Sequence, residues 1–158
     1  VPDTAPYWCD LVSRRALSRV AGVSGGLYEL RNAGTGEDLS ICTVKDEQRY
    51  GPLGVQWDVT GGRNEIGQSA KDVASDHPVR LPATLGSGFA VYSPSTSRLP
   101  YFAAATFACG SGDAWIEIFI RGVSPGRDAT ADLAGLMRVA ERRFGVLHHC
   151  APTADPSK

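Results

Sequence analysis

The residue types that could support covalent catalysis fall late in this chain. Gly122-Val123-Ser124-Pro125-Gly126 follows an apolar run and precedes a helical pattern, with Asp128, Asp132, His148 and His149 beyond it. This is the Ser…Asp…His order of an α/β-hydrolase, with the nucleophile on a Gly-x-Ser-x-Gly turn. The arrangement fails on one atom. The oxyanion hole uses the backbone N–H of the residue after the nucleophile, and Pro125 has none. A second match, Gly22-Val23-Ser24-Gly25-Gly26, lies between a helix and a strand in the reverse order. Ser124 is expected to be a turn residue, and a serine hydrolase is the remotest of three functional alternatives.

Metal and phosphate chemistry fare no better. His148 and His149 adjoin Cys150, but adjacent residues rarely converge on one ion, and an oxidised Cys150 offers no thiolate. His77 lies far upstream without ligand spacing. Gly61-Gly62, Gly86-Ser87-Gly88 and Gly110-Ser111-Gly112 are followed by no Gly-Lys-Ser/Thr and carry no dinucleotide fingerprint. No catalytic residue, metal ligand or cofactor is therefore assigned, and the chain is not expected to be an enzyme.

Carboxylates give one residue of interest. Glu37-Asp38 and Asp46-Glu47 belong to turns. Glu117 instead shares its strand phase with Trp115, Phe119 and Arg121, while Ala114, Ile116, Ile118 and Ile120 form the opposite, uniformly apolar phase that must face the core. A glycosidase would require a second carboxylate at a defined separation, and Asp58 is only a nominal candidate. Trp115, Glu117, Phe119 and Arg121 are instead expected to form an aromatic, charged contact surface, since aromatics and Arg are enriched at protein interfaces. The alternative is that a helix or loop covers these rings and they form a second core.

The elements that must position these groups can be traced along the chain. Ser13 caps a helix through Ala16, Leu17 and Val20 that stops at Gly22. Strands are expected at 27–31, 39–45 and 53–59, with turn chemistry at 32–36. A helical pattern opens at Asn64, carries Ile66, Ala70 and Val73, and ends before Pro78. Further strands follow at 89–92, 101–109 and 114–121. A last helix is capped by Asp128, striped by Leu133, Leu136, Met137, Ala140 and Phe144, and closed by Gly145. The order helix-βββ-helix-βββ-helix reads as α+β, with an antiparallel sheet of about six strands and helices packed on one face. The two similar halves suggest a pseudo-twofold arrangement.

Four cysteines, none in a Cys-x-x-Cys pair, fall as two separated couples. An even count at such spacing in a small chain points to two disulfides and to a compartment outside the reducing cytosol. Local geometry favours Cys9 with Cys42 and Cys109 with Cys150, and two other connectivities stay open. With a formal net charge of −1 there is no basic face for nucleic acid, nor one for anionic lipid by charge alone. The apolar runs are strand-sized, so no transmembrane segment is expected. The Pro-rich stretches 1–8 and 151–158 read as linkers around a single domain over 9–150. Because the chain opens at Val1 without a signal peptide, a signal or anchor segment is expected to have been removed.

Cys9-Asp10-Leu11-Val12 leading into a helix that ends Val20-Ala21-Gly22, then a strand with Cys42, resembles the opening of small extracytoplasmic domains of actinobacteria. Many of these are predicted lipoproteins of unassigned function. Trp115-Ile116-Glu117-Ile118, Leu136-Met137-Arg138-Val139-Ala140, Phe144 and Cys150 extend the resemblance along most of the chain. It implies an extracytoplasmic protein, secreted or membrane-tethered, with a non-catalytic role. Binding a protein partner of the cell envelope is the leading expectation. The alternative is a small-molecule or lipid carrier, for which Ala103 and Ala105 would leave space between sheet and helices unless a helix packs closely there.

Overall fold

The structure is a computed structural model that describes residues 1–33, 39–49, 51–95 and 98–154. Of the turn expected at 32–36, Asn32 and Ala33 continue a strand instead, and 34–36, the carboxylates Glu37 and Asp38, and the tail from Asp155 lie outside the described residues. In chain order the elements are β1 (Tyr7–Trp8), β2 (Val12–Ser13), α1 (Arg14–Ala21), β3 (Tyr28–Ala33), β4 (Ser40–Lys45) and β5 (Leu53–Asp58). They continue with α2 (Gly62–Asp72), β6 (Val79–Arg80), β7 (Ser87–Tyr92), β8 (Tyr101–Cys109), β9 (Gly112–Ile120) and α3 (Ala129–Leu147). Short 3-10 turns stand at Ala74–Asp76 and Ala83–Leu85.

The α+β class holds. Among the described residues the main sheet has seven strands rather than about six, in the order β3-β4-β5-β9-β8-β7-β6, every pair antiparallel. The extra strand is the two-residue β6, too short to produce a period-2 signal. A separate β1–β2 hairpin precedes α1. Two meanders, β3-β4-β5 and β7-β8-β9, join through the pairing of β5 with β9, which sets Val55 opposite Ile118 and Gln56 opposite Glu117.

Helices lie on both faces of the sheet, not on one. The inner face carries Val44, Leu53, Val55, Ile116, Ile118, Ile120 and Phe107, all buried with α1 and α3 in the main core. On the outer face Ile66, Ala70 and Val73 of the α2 segment pack against Phe89, Phe102 and Trp115 in a second core. The two meanders are disposed symmetrically about the β5–β9 pair, but α1 and α2 occupy opposite faces, so the pseudo-twofold relation does not extend to the helices. Helical periodicity shows that α2 has an apolar side, but it cannot say which face of the sheet that side meets.

Both N-cap expectations hold. Ser13 Oγ accepts from the Ala16 N–H at 3.3 Å, and Gly22, at φ 67°, closes α1 with its N–H on Ser18 O. Asp128 caps α3 by accepting from Ala131 N–H at 3.0 Å. Gly145 does not end α3, which runs on to Leu147 with His148 as its C-cap. The glycine serves close approach instead: a Cβ there would lie 2.6 Å from Pro152 Cδ and 2.7 Å from Cys150 O.

Within the stretches expected as linkers, several described residues contact the domain. Trp8 is buried, Ser13 Oγ donates to Thr4 O, and Asp3 pairs with Arg142 of α3. Thr153 exchanges two backbone hydrogen bonds with Ala108, laying the C-terminal segment along β8. Such contacts depend on distant partners that local composition does not reveal.

The disulfides are Cys9–Cys42 and Cys109–Cys150, the pairing that local geometry favoured. The first ties the β1–β2 turn to β4, closing a separation of 33 residues. The Cys9→Ala/Cys42→Ala double variant should lose roughly 3–4 kcal/mol of stability in the chain-entropy account. Urea unfolding with Cys109–Cys150 intact measures this, and a loss below about 1 kcal/mol would show that the loop is already constrained without the bond.

Candidate functional site

Strand β9 presents alternate side chains to the outer face, and three in succession engage α2 and the turn leading into it. Asp113 accepts from the backbone N–H groups of Gly61 and Arg63, both at 3.1 Å, and thereby caps the N-terminus of α2 from another strand. These backbone donors, Arg63 N–H first, hold its carboxyl below the usual range. Trp115 Nε1 donates to Thr60 O at 3.0 Å. Glu117 accepts from Ser69 Oγ at 2.5 Å. Burial pushes the Glu117 carboxyl up to about 7, against the Ser69 hydrogen bond and with help from Glu65 and Asp72.

This geometry corrects the expected contact surface. Trp115 and Glu117 are each only 4% exposed, because α2 covers them. Phe119 is half-buried and stacks on Phe102 with ring centroids 4.3 Å apart. Arg121 is exposed and pairs with Asp46 at 3.4 Å. The four residues share one sheet face, as their spacing required, but that face is divided between a second core and an open wing. On the wing Tyr28 and Leu30 of the edge strand β3 are 39% and 42% exposed.

The other candidates are dispersed. Ser124 donates its backbone N–H to Val20 O and sits before α3, whereas His148 and His149 follow it. A helix of 19 residues separates them by roughly 28 Å at 1.5 Å per residue. Asp128 is engaged as a helix cap. His148 packs on Phe144, with ring centroids 4.2 Å apart, and burial lowers its pKa. Among the described residues one trio of potential metal-binding atoms gathers, on Cys9, Glu29 and Cys42. Its two sulfurs are joined in a disulfide, and Glu29 accepts from Cys9 N–H at 2.5 Å. Ala103 and Ala105 are fully buried beneath α3, so helix packing occupies the space a carrier cavity would have used there.

A ligand-sized hollow lies elsewhere, between α2 and the β6–β7 edge, with a volume of about 670 Å³. Ile66, Ala70, Leu81 and Phe89 give it apolar walls, and Thr106 of β8 lies at its base. Arg63 on α2 and Arg80 on β6 bring positive charge to opposite sides, and no carboxylate is among the described residues that line it. Glycines shape it in two ways. At Gly88 a Cβ would lie 2.2 Å from Ala104 O, so the glycine lets β7 lie close on β8. At Gly67, inside α2, a Cβ would meet nothing within 4 Å. An interior helical glycine costs about 1 kcal/mol relative to alanine, so Gly67 keeps the hollow open at the helix's expense.

Sequence reasoning missed this cleft because its walls come from segments that pair only in three dimensions. The one local signal was Gly67, a glycine within an otherwise continuous helical pattern. The described residues contain no helix long and apolar enough to cross a membrane, and the two disulfides are consistent with an extracellular protein. No family model, no curated protein and no solved structure matches the chain.

Proposed function

We propose that this chain is a non-catalytic extracytoplasmic binding domain, secreted or membrane-tethered, that takes an amphiphilic molecule with an acidic head group into the cleft between α2 and β7. One observation carries this reading: an open cleft of about 670 Å³ with apolar walls, arginines on both sides and no carboxylate among the described residues that line it. Its volume is that of small-molecule sites, where apolar surface supplies affinity and a few polar groups set orientation. Arg63 and Arg80 suit a carboxylate or phosphate head, and Ile66, Leu81 and Phe89 suit an alkyl or aryl body. The carrier alternative thus gains support at a different place from the alanines that first suggested it.

A protein partner of the cell envelope remains the second reading. It is favoured by the open wing of the outer face, where Tyr28 and Leu30 are exposed and Ile41, Thr43, Gln56, Leu99 and Phe119 line a hollow of about 170 Å³.

Calorimetric titration of the intact protein with decanoate, and with decanol as the headless control, separates the two. Decanoate should bind at least about tenfold more tightly than decanol, corresponding to roughly 1.4 kcal/mol. Arg80→Glu should remove that preference. Gly67→Phe should fill the cleft and abolish binding while leaving the melting temperature level or raised, because phenylalanine is the better helix former. No binding of decanoate, or unchanged binding to Gly67→Phe, would sink the cleft reading and leave the wing.

A further inference from the structure

The buried carboxyl of Glu141 has no counterpart in the cleft above. It sits on α3, one turn after Met137 and three residues before Phe144, and is only 6% exposed. Its Oε1 has no hydrogen-bond partner among the described residues. Buried polar atoms in folded proteins are nearly always paired, so an orphaned carboxyl oxygen requires an explanation. Neighbouring cations do not supply one. Arg138 acts on Glu141 through its field alone, without a hydrogen bond, and Arg142 is paired with Asp3.

Glu141 is one of the residues that line a second hollow, of about 560 Å³. Leu85 forms one wall, from the 3-10 turn at Ala83–Leu85, and Val146, Cys150 and Pro152 form the opposite one. That second wall is fastened. Cys150 is bonded to Cys109, Thr153 is hydrogen-bonded twice to Ala108, and Gly145 lets Pro152 lie against α3. Val146 exposes more than half of its surface at the rim, which leaves apolar area open to a ligand.

We propose that this hollow is a second binding site, taking a small, neutral, largely apolar ligand whose N–H or O–H group donates to Glu141. The rim arginines disfavour a cationic ligand, and the apolar walls disfavour a highly polar one. Burial holds the Glu141 carboxyl up at about 8, so at neutral pH it is mostly uncharged and matches an uncharged donor. Oε1 is itself closed to solvent, so a donor reaches it through a turn of the carboxyl into the hollow, and then satisfies an atom the chain leaves unsatisfied. A ring that merely fills the hollow does not.

The test uses two probes of nearly the same shape: indole, which has an N–H, and benzofuran, which has none. The intact, oxidised protein is titrated with each while backbone amide resonances are followed by NMR. Indole should shift residues 84–85, 141–146 and 150 saturably, and benzofuran should bind at least about tenfold more weakly. Glu141→Met should abolish the difference between the probes, and Glu141→Gln, which keeps an acceptor, should retain it. Equal binding of the two probes to the wild type would overturn the proposal, showing only an apolar hollow. So would the absence of saturable shifts with indole, or an undiminished preference in Glu141→Met.

Discussion

Trp115→Ala should destabilise the protein by roughly 3–5 kcal/mol, the range for truncating a buried aromatic. Two losses combine. The ring is one of the large side chains of the second core, with Ile66, Phe89 and Phe102, so its removal leaves a cavity between α2 and the sheet. The Nε1 donor to Thr60 O also disappears, releasing the turn that leads into α2. Phe119→Ala, at the half-buried border of the same cluster, should cost clearly less. Urea unfolding of both variants gives the comparison. A loss below about 1 kcal/mol for Trp115→Ala would mean that the ring is not packed under α2, and would restore Trp115 as a contact residue.

Folding stability should be greatest in mildly acidic solution and fall as the pH rises towards 8. Glu117 and Glu141 titrate at about 7 and about 8 in the folded protein, compared with an ordinary value of 4.5, and burial is the leading cause for both. A carboxyl whose pKa is raised by folding keeps its proton where the unfolded chain has lost it. Its contribution is therefore fully present below pH 4.5 and is lost as pH rises through 7 for Glu117 and 8 for Glu141. At about 1.4 kcal/mol per pH unit, Glu117 alone changes stability by on the order of 3 kcal/mol across that window.

Other groups act in the opposite direction. Asp10, held down by its hydrogen bond from Arg31, and Asp113, held down by backbone donors, stabilise the fold above pH 3.8 and lose that effect below it. His148, lowered by burial, favours the fold as pH rises through 6.5, but its partial exposure keeps this contribution small. Denaturation midpoints for the wild type and Glu117→Gln between pH 4.5 and 8.5 check the balance. Glutamine keeps an acceptor for Ser69 Oγ and has no proton to lose, so the variant should show a shallower slope and higher stability at pH 8. A wild-type profile that is flat, or two profiles of equal slope, would contradict this account.

The residues of β9 show how far local pattern carries. Its period-2 alternation separates Ile116, Ile118 and Ile120 from Trp115, Glu117 and Phe119, and the structure keeps that separation. The helix caps Ser13, Gly22 and Asp128 were equally legible, because capping is a contact between near neighbours. The disulfides could be paired from the elements their cysteines flank, even though four cysteines allow three connectivities.

What alternation cannot specify is the occupant of a face. Trp115 and Glu117 have the composition of an interface, and only the docking of α2, fixed by Asp113 fifty residues away from Arg63, turns them into core. Gly145 likewise has the signature of a helix stop, yet it is needed where Pro152 folds back onto α3. The sequence by itself determined the α+β class, the two disulfides, the core phase of the strands and the caps, since each follows from short-range periodicity or steric preference. Only the tertiary structure decided which helix covers which face, which described residues near the termini pack on the domain, and where the hollows lie. Those features arise from contacts between distant segments, whose register no local propensity encodes.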